Sequence, residues 1–441
     1  MSFPRYPKYK DSGVEWLGQV PEHWEVWKLA HAFELIGSGT TPKSDNREYY
    51  EGGNIAWVNT GDLNDGELDE CEKRITDLAI AHHSSLKTYP AGSLLIAMYG
   101  ATIGKLAMLR FPATVNQACC VFAGKSAIVS KFMFYWFFGL RQQIISLATG
   151  GGQPNVSQDI LRTLRVACPN DDEQTRIAAF LDQETAKIDE LVAKQERLMA
   201  LLKEKLQAVI SHTVTKGLHD QSFPLKRLKF LIDGIETGFT PNSHNSPATT
   251  GQCGVLKSGC VNGGIFDPNE NKLLADDVDP PSDLEVKVGD VLMSRASGSS
   301  ELIGSVAQVR EQPSARLFLS DKTFRVQVKE SSFDAAFFVV AMGSSFLRNQ
   351  LLQIISGAEG LAKNVAQSDI REFQMPFPSL TEQRAIVTHL NTETVKFDTL
   401  TTEAQRAIDL LQERRTALIS AAVTGQIDVR QVLNSPAATK N

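Results

Sequence analysis

The stretch Glu173–Thr215, EQTRIAAFLDQETAKIDELVAKQERLMALLKEKLQAVISHTVT, returns as Glu382–Thr424, EQRAIVTHLNTETVKFDTLTTEAQRAIDLLQERRTALISAAVT, at a constant offset of 209 residues. Glu173-Gln174 matches Glu382-Gln383, Glu184-Thr185 matches Glu393-Thr394, and Val214-Thr215 matches Val423-Thr424. A repeat of this fidelity is a duplication and is read before any local pattern. Neither copy contains Pro or Gly; Pro169, Pro376 and Pro378 lie upstream, and Gly217 and Gly425 lie downstream. Those are helix limits, with Asp171-Asp172 and Thr381-Glu382 as start signals.

Within each copy a heptad can be traced. In the first it places Ile177, Leu181, Ile188, Leu191, Leu198 and Leu202 on one stripe. In the second it places Ile386, Leu390, Phe397, Leu400, Leu411 and Leu418 there. About 38 residues at 1.5 Å each make a rod of roughly 55 Å. A lone amphipathic helix is marginal in water, so the two copies are expected to pack on each other as a coiled coil.

The segments ahead of the helices correspond more loosely. Ser38–Lys43 matches Thr237–Asn242, Ala91–Leu95 matches Val288–Leu292, and Ile103-Gly104-Lys105 matches Ile303-Gly304-Ser305. Short apolar runs broken by Gly, Asn and Pro predict strands at Ile55–Val58, Ser93–Ala97, Ala118–Phe122, Val291–Met293, Gly304–Val309 and Thr323–Val328. Phe132–Leu147 and Phe333–Ile355 each predict one apolar helix. The fold class is α+β with a pseudo-two-fold internal repeat. The expected layout is a first recognition domain over 1–165, a central helix over 166–217, a second domain over 218–375, and a C-terminal helix and tail over 376–441.

Two loops stand out in each domain. In the first they are Met98–Lys105 and Gly150–Asn155; in the second, Ser294–Ser299 and Gly357–Asn364. Glycine-rich backbone approaches phosphate closely, and Arg, Lys, Asn and Gln read base edges. The candidate nucleic-acid contacts are Lys43, Arg47, Tyr99, Thr102, Lys105, Gln153 and Asn155 in the first domain, and Arg295, Ser297, Lys363 and Asn364 in the second. The net charge of −6 weighs against a nucleic-acid binder, although a basic face can sit on an acidic body.

Patterns for chemistry are incomplete. Gly150-Gly151-Gly152 lacks the Gly-Lys-Ser/Thr that a phosphate loop needs. Asp279-Pro280-Pro281-Ser282 is similar to the Asp-Pro-Pro-aromatic motif of amino-methyltransferases without its aromatic, and Glu285-x-Lys287 is only the end of a nuclease metal motif. His82-His83 has no patterned partner, and none of the six cysteines forms a C-x-x-C pair. Met1–Lys10 has no apolar signal core, and the Phe132–Leu140 run is too short to span a bilayer. No catalytic residue, metal site or membrane segment is expected, and the expected location is cytoplasmic.

Three further runs carry a family likeness: Tyr9–Gly18 with Pro21–Glu25, Pro169 with Glu173-Gln174 and Arg176-Ile177, and Ala417–Arg430. They resemble the specificity subunits of type I restriction–modification enzymes over nearly the whole chain. The resemblance implies that each domain is a target recognition domain reading one half of a bipartite, asymmetric site in double-stranded DNA, with the two helices packed antiparallel as a ruler. It implies two methyltransferase subunits using S-adenosylmethionine for adenine methylation, two restriction–motor subunits using ATP and Mg, and no cofactor in this chain. One departure is visible: before the second domain only a remnant of the opening run survives, Gly217–Leu228. A coiled-coil adaptor and a self-sufficient nuclease or methyltransferase are the competing readings.

Overall fold

A computed structural model describes residues 3–148, 154–355 and 363–430. The chain forms two compact units, Met1–Gln195 with Arg406–Asn441, and Glu196–Gln405. Each long helix gives one half to each unit.

In the first unit a five-stranded sheet has the order Phe33–Ser38, Cys119–Ser126, Leu94–Ala97, Leu106–Leu109, Gly66–Leu68. Its pairs are antiparallel except the last, which is parallel. A three-stranded sheet sets Ile55–Val58 between Thr114–Val115, parallel, and Arg74–Ile75, antiparallel. The second unit repeats the plan. A four-stranded sheet runs Ile232–Thr237, Thr323–Val328, Val291–Ser294, Val306–Gln308. A three-stranded sheet sets Cys253–Leu256 between Arg316–Phe318, parallel, and Asn271–Leu273, antiparallel.

The central strands are apolar throughout because both faces are covered. Leu94, Ile96, Cys120 and Phe122 face one hydrophobic core, whereas Leu95, Ala97, Cys119 and Val121 face another. Strand alternation therefore explains the adjacent cysteines, whose side chains point to opposite faces. Burial pushes the Cys119 thiol up to about 12, which keeps it an inert apolar group.

The apolar helices differ from expectation. Phe132–Leu147 is two helices, Ser130–Gly139 and Arg141–Ser146, broken at Leu140. Phe333–Ile355 is likewise Ala335–Met342 and Ser345–Ile354, bent by 71°. Ser344 causes that bend: its hydroxyl caps the second helix at Leu347. Among the described residues no single helix is long and apolar enough to cross a membrane, and this bent pair buries Phe337, Phe338, Ala341 and Leu347 in the second core.

The long helices span Asp171–Lys216 and Leu380–Val423, 46 and 44 residues. Their caps lie earlier than the sequence suggests. Asn170 Oδ1 accepts from the amide of Glu173 and Ser379 Oγ from that of Glu382, so the caps also obey the repeat. Within each unit the helices run oppositely. The start of the first (Ile177, Leu181) shares a core with the end of the second (Leu418, Ile419, Ala422). The end of the first (Val214) shares a core with the start of the second (Ile386, Leu390).

The seam corrects the expected heptad. Ile177, Leu181, Ile188, Ile386, Leu390, Phe397 and Leu418 are buried, and Leu202 and Leu411 are half-buried. Leu191, Leu198 and Leu400 are 44%, 44% and 47% exposed. The covered positions instead run Leu181, Thr185, Ile188, Val192, Gln195, Met199, Leu202, Leu206, Val209 in the first helix. In the second they run Leu390, Thr394, Phe397, Thr401, Ala404, Ile408, Leu411, Arg415, Leu418. Nine of the twelve expected positions are covered, and Leu191, Leu198 and Leu400 each fall one residue before a covered one. The expected four–three alternation begins at Ile177; the same alternation begun at Leu181 leads to 192 and 199.

One glutamine in each copy docks the helix start on its domain. Gln174 accepts from the amide of Val129 at 2.7 Å and donates to the carbonyl of Pro169 at 2.8 Å. Gln383 accepts from Asp334 at 2.7 Å and donates to Pro378 at 2.9 Å. Both are buried, and a buried amide is kept only when its partners are supplied.

The neighbouring glutamates diverge. Glu173 is buried and receives the Tyr6 hydroxyl at 2.7 Å, the Trp24 indole at 3.3 Å and the His23 ring at 2.8 Å. The closing run seals the same place: the Asp428 amide donates to Pro4, Tyr9 to Gly425, and Arg430 lies over the Tyr6 ring. Glu382 has no such shell, because only the remnant Gly217–Leu228 precedes the second domain. The two domains are thus held to their helices differently.

Ile386→Ala or Leu390→Ala is expected to cost about 2–5 kcal/mol in chemical denaturation. Leu191→Ala or Leu400→Ala should stay within about 0.5 kcal/mol.

Candidate nucleic-acid interface

The two loops singled out in each domain meet. In the first domain Tyr99 and Asn155 form an antiparallel bridge, and the amide of Val156 donates to the carbonyl of Met98 at 2.9 Å. In the second, Ala296 and Ser297 pair with Asn364 and Lys363, and the amide of Val365 donates to Arg295 at 3.1 Å. Residues some 55 to 70 positions apart in sequence are therefore brought to one loop junction by equivalent hydrogen bonds in both copies.

The turn that carries each first loop is also repeated. Gly104 N donates to Ala97 O and Lys105 N to Thr102 O; Gly304 N donates to Ser294 O and Ser305 N to Leu302 O. Gly104 and Gly304 have φ of +77° and +69°, where a side chain is strained. A Cβ on Gly104 would also press on Arg141, and one on Gly304 on Leu351. The sequence match Ile103-Gly104 with Ile303-Gly304 thus records one hairpin geometry built twice.

The candidates divide into occupied and available groups. Arg295 donates to the carbonyl of Asp321 at 3.0 Å and lies 5.7 Å from the Phe324 ring centroid, so its guanidinium shapes the loop. Arg47 faces Glu51 at 3.7 Å, on a surface turn. Lys43 is exposed on the segment after the first strand of the large sheet, and Asn155 and Asn364 are exposed at the junctions. Tyr99, Thr102, Lys105, Ser297 and Lys363 are half-buried there. Gln153 and the three glycines before it lie outside the described residues, as do residues 357–362 of the second loop.

Other arginines are committed to structure. Arg325, almost wholly buried, is held by Asp290 and Glu236 at 3.0 and 2.9 Å and donates to two carbonyls. Arg348 donates to the carbonyls of Ile303, Ser300 and Glu301, tying down the second hairpin; burial lowers its pKa. Among the described residues Lys43, Lys73, Lys105, Lys322 and Lys363 make no ion pair. A free ammonium is a point charge suited to a phosphate.

Sequence reasoning missed a cleft in the first domain lined by Thr41, Tyr50, Trp57, Asn59, Lys73 and Arg74. Its residues come from three separate segments. Only the Lys73-Arg74 doublet marked it, and doublets of this kind are common on solvated turns.

The incomplete catalytic motifs are accounted for. Glu285 is taken by Arg316 through bonds of 3.0 and 2.7 Å, and that hydrogen bond lowers the Glu285 pKa. Asp279–Pro281 leads into a short 3-10 turn, Ser282–Leu284. His82 and His83 pack against Tyr49. No cluster of metal-ligating side chains occurs among the described residues.

Paired loop junctions on two α+β domains, each joined to one of two repeated helices, make this a tandem-repeat protein. Known proteins share this plan. Residues 21–198 match the family model described as type I restriction modification DNA specificity domain. The chain is 22% identical over 438 residues to the EcoKI specificity subunit of Escherichia coli K12, covering 95% of this chain and 92% of that one. It is 28% identical over 193 residues to the MjaIX specificity subunit of Methanocaldococcus jannaschii, 43% of each. Its fold matches the crystal structure of the HsdS subunit from Thermoanaerobacter tengcongensis with a TM-score of 0.52, at 16% identity, over 92% of this chain and 98% of that one. A structure from work on assembly and conformational transition of the type I R-M system gives 0.66, at 15% identity and the same coverage. The chain is thus similar over nearly its whole length to type I restriction enzyme specificity subunits, and residues 21–198 match the specificity domain model.

Because Arg348 holds the second hairpin through carbonyls alone, Arg348→Ala should raise amide exchange across 298–305 by at least about tenfold. Exchange across 98–105 should stay as it is.

Proposed function

We propose that this chain selects a bipartite, asymmetric site in double-stranded DNA, each domain reading one half through its loop junction. The observation that carries the reading is the junction itself: one backbone arrangement built twice, carrying Tyr99, Thr102, Lys105 and Asn155 in one copy and Arg295, Ser297, Lys363 and Asn364 in the other. Shared backbone with different side chains fits two readers of two different sequences. The free lysines supply phosphate contacts, while the acidic whole leaves much of the affinity to partner subunits.

In this reading the helices set the gap between half-sites. At 1.5 Å per residue, 44 to 46 residues extend over roughly 65–70 Å, well beyond one DNA turn of about 34 Å. The chain also scaffolds two methyltransferase subunits, which bind S-adenosylmethionine, and two restriction–motor subunits, which use ATP and Mg, in the cytoplasm. Exposed apolar positions obey the repeat: Leu191 and Leu201 on the first helix correspond to Leu400 and Leu410 on the second. A duplicated apolar surface suits two copies of one partner.

Co-expression with the cognate methyltransferase subunit should place N6-methyladenine at one asymmetric bipartite motif in the host genome. The motif should vanish when this chain is omitted. Methylation without a shared motif would refute the assignment. Removal of one heptad from each helix keeps the seam in phase and shortens the rod by about 10 Å. The gap should then shrink by about three base pairs at 3.4 Å per pair, with both half-site sequences unchanged.

A further inference from the structure

Arg415 occupies a seam position of the second long helix where the repeat places Leu206 in the first. An arginine in an apolar seam weakens packing unless it does something else. Its surroundings, all within the first unit, show what. Arg415 Nη1 donates to Asp189 of the first helix at 2.7 Å. Its guanidinium lies 5.4 Å from the ring centroid of Phe138, and the guanidinium of Arg141 lies 4.8 Å from the same ring. Each pair is within cation–π range. Arg141 in turn grips Asp65 through both carboxylate oxygens.

Asp65 leads to the reading loop. Its carboxylate accepts from the amide of Leu106 at 3.0 Å, and its own amide donates to the Leu106 carbonyl at 2.9 Å. Leu106 directly follows the Gly100–Lys105 turn. Asp65 has a φ of +62°, a conformation in which a residue other than glycine needs such fixed partners. Close packing adds stiffness: a Cβ on Gly139 would sit 3.0 Å from Ile419 and from the Ser420 amide, so no slack separates the domain's helix from the long one. The chain of contacts is therefore Asp189, Arg415, Phe138, Arg141, Asp65 and Leu106.

The second unit lacks this connection. Its hairpin is tied by Arg348 to carbonyls of its own domain, and its seam has Leu206. Where Gly139 meets Ser420 in the first unit, Ser345 bonds Ser211 at 2.8 Å in the second.

We infer that Arg415 is a positioning residue for DNA reading: from the C-terminal helix it sets the pose of the first domain's reading hairpin and thereby the stringency of one half-site only. The inference rests on the DNA-reading assignment above and names a residue far in sequence from the domain it governs. Arg415→Leu copies the seam chemistry of Leu206, so the helices still pair. Arg415→Lys keeps the charge but not the planar stacking group.

The test uses the full chain assembled with its methyltransferase subunit. For Arg415→Leu, methylation of sites carrying single-base changes should show about tenfold weaker discrimination at one half-site, the one that Asn155→Ala also weakens, or roughly 1.4 kcal/mol. The other half-site should keep wild-type discrimination, and Arg415→Lys should fall between. Amide exchange over 97–106 should rise about tenfold while exchange over 294–305 stays constant. Equal loss at both half-sites, no loss at either, or unchanged exchange over 97–106 overturns the inference. Exchange needs no DNA. If the wild-type complex marks no bipartite site, the DNA-reading assignment and the half-site claim fall together, and exchange alone decides whether Arg415 positions the hairpin.

Discussion

The seam between the two long helices is the constraint on which the rest depends. A helix of more than forty residues with one covered stripe cannot persist alone in water. Here each half of each helix lies in a hydrophobic core with the opposite end of its repeat, Ile177 with Leu418 and Val214 with Ile386. The domains then dock on these paired ends through Gln174 and Gln383, whose amides satisfy backbone groups that the docking would otherwise strand. Helix pairing and domain attachment are one event at each end.

On that frame the paired loops gain their geometry. Each junction joins a hairpin turn to a distant segment by main-chain bonds, so its outline does not depend on the side chains displayed. This leaves the side chains free to differ between copies. Arginines of the second domain are largely absorbed in holding its structure: Arg295 by Asp321, Arg325 by two carboxylates, Arg348 by three carbonyls. Available positive charge falls to lysines that attract less notice, such as Lys73 and Lys322.

The duplication is not symmetrical in its energetics. The first domain is anchored by a polar shell around Glu173 and by the cation–aromatic stack on Phe138. The second relies on apolar packing, a serine pair, the Gln383 amide and an Arg384–Asp334 ion pair, without a cation–aromatic stack on its seam. Charged and stacked contacts hold orientation more tightly than apolar ones, which tolerate sliding. The first domain's hairpin is therefore tied to the long helices, and the second domain's hairpin is tied within its own domain.

The repeat, the two helices, the class of the domains and most core strands were legible in the sequence. They follow from local periodicity and from an offset that any residue pair can test. The pairing of Tyr99 with Asn155 was half legible: both loops stood out for composition, but only the folded sheet brings them together. The seam shows the limit most clearly. Leu191 and Leu198 looked right because leucine is the commonest seam residue, yet Val192 and Met199 are covered. Heptad spacing fixes the period of a stripe and not its phase, which is set by what the opposing helix and docked domain can cover. Arg415 would be read from sequence as a defect in that stripe. Only the tertiary structure, by placing Phe138 and Asp189 around it, makes its charge a contact, because the partners of this half-buried cation come from segments hundreds of residues away.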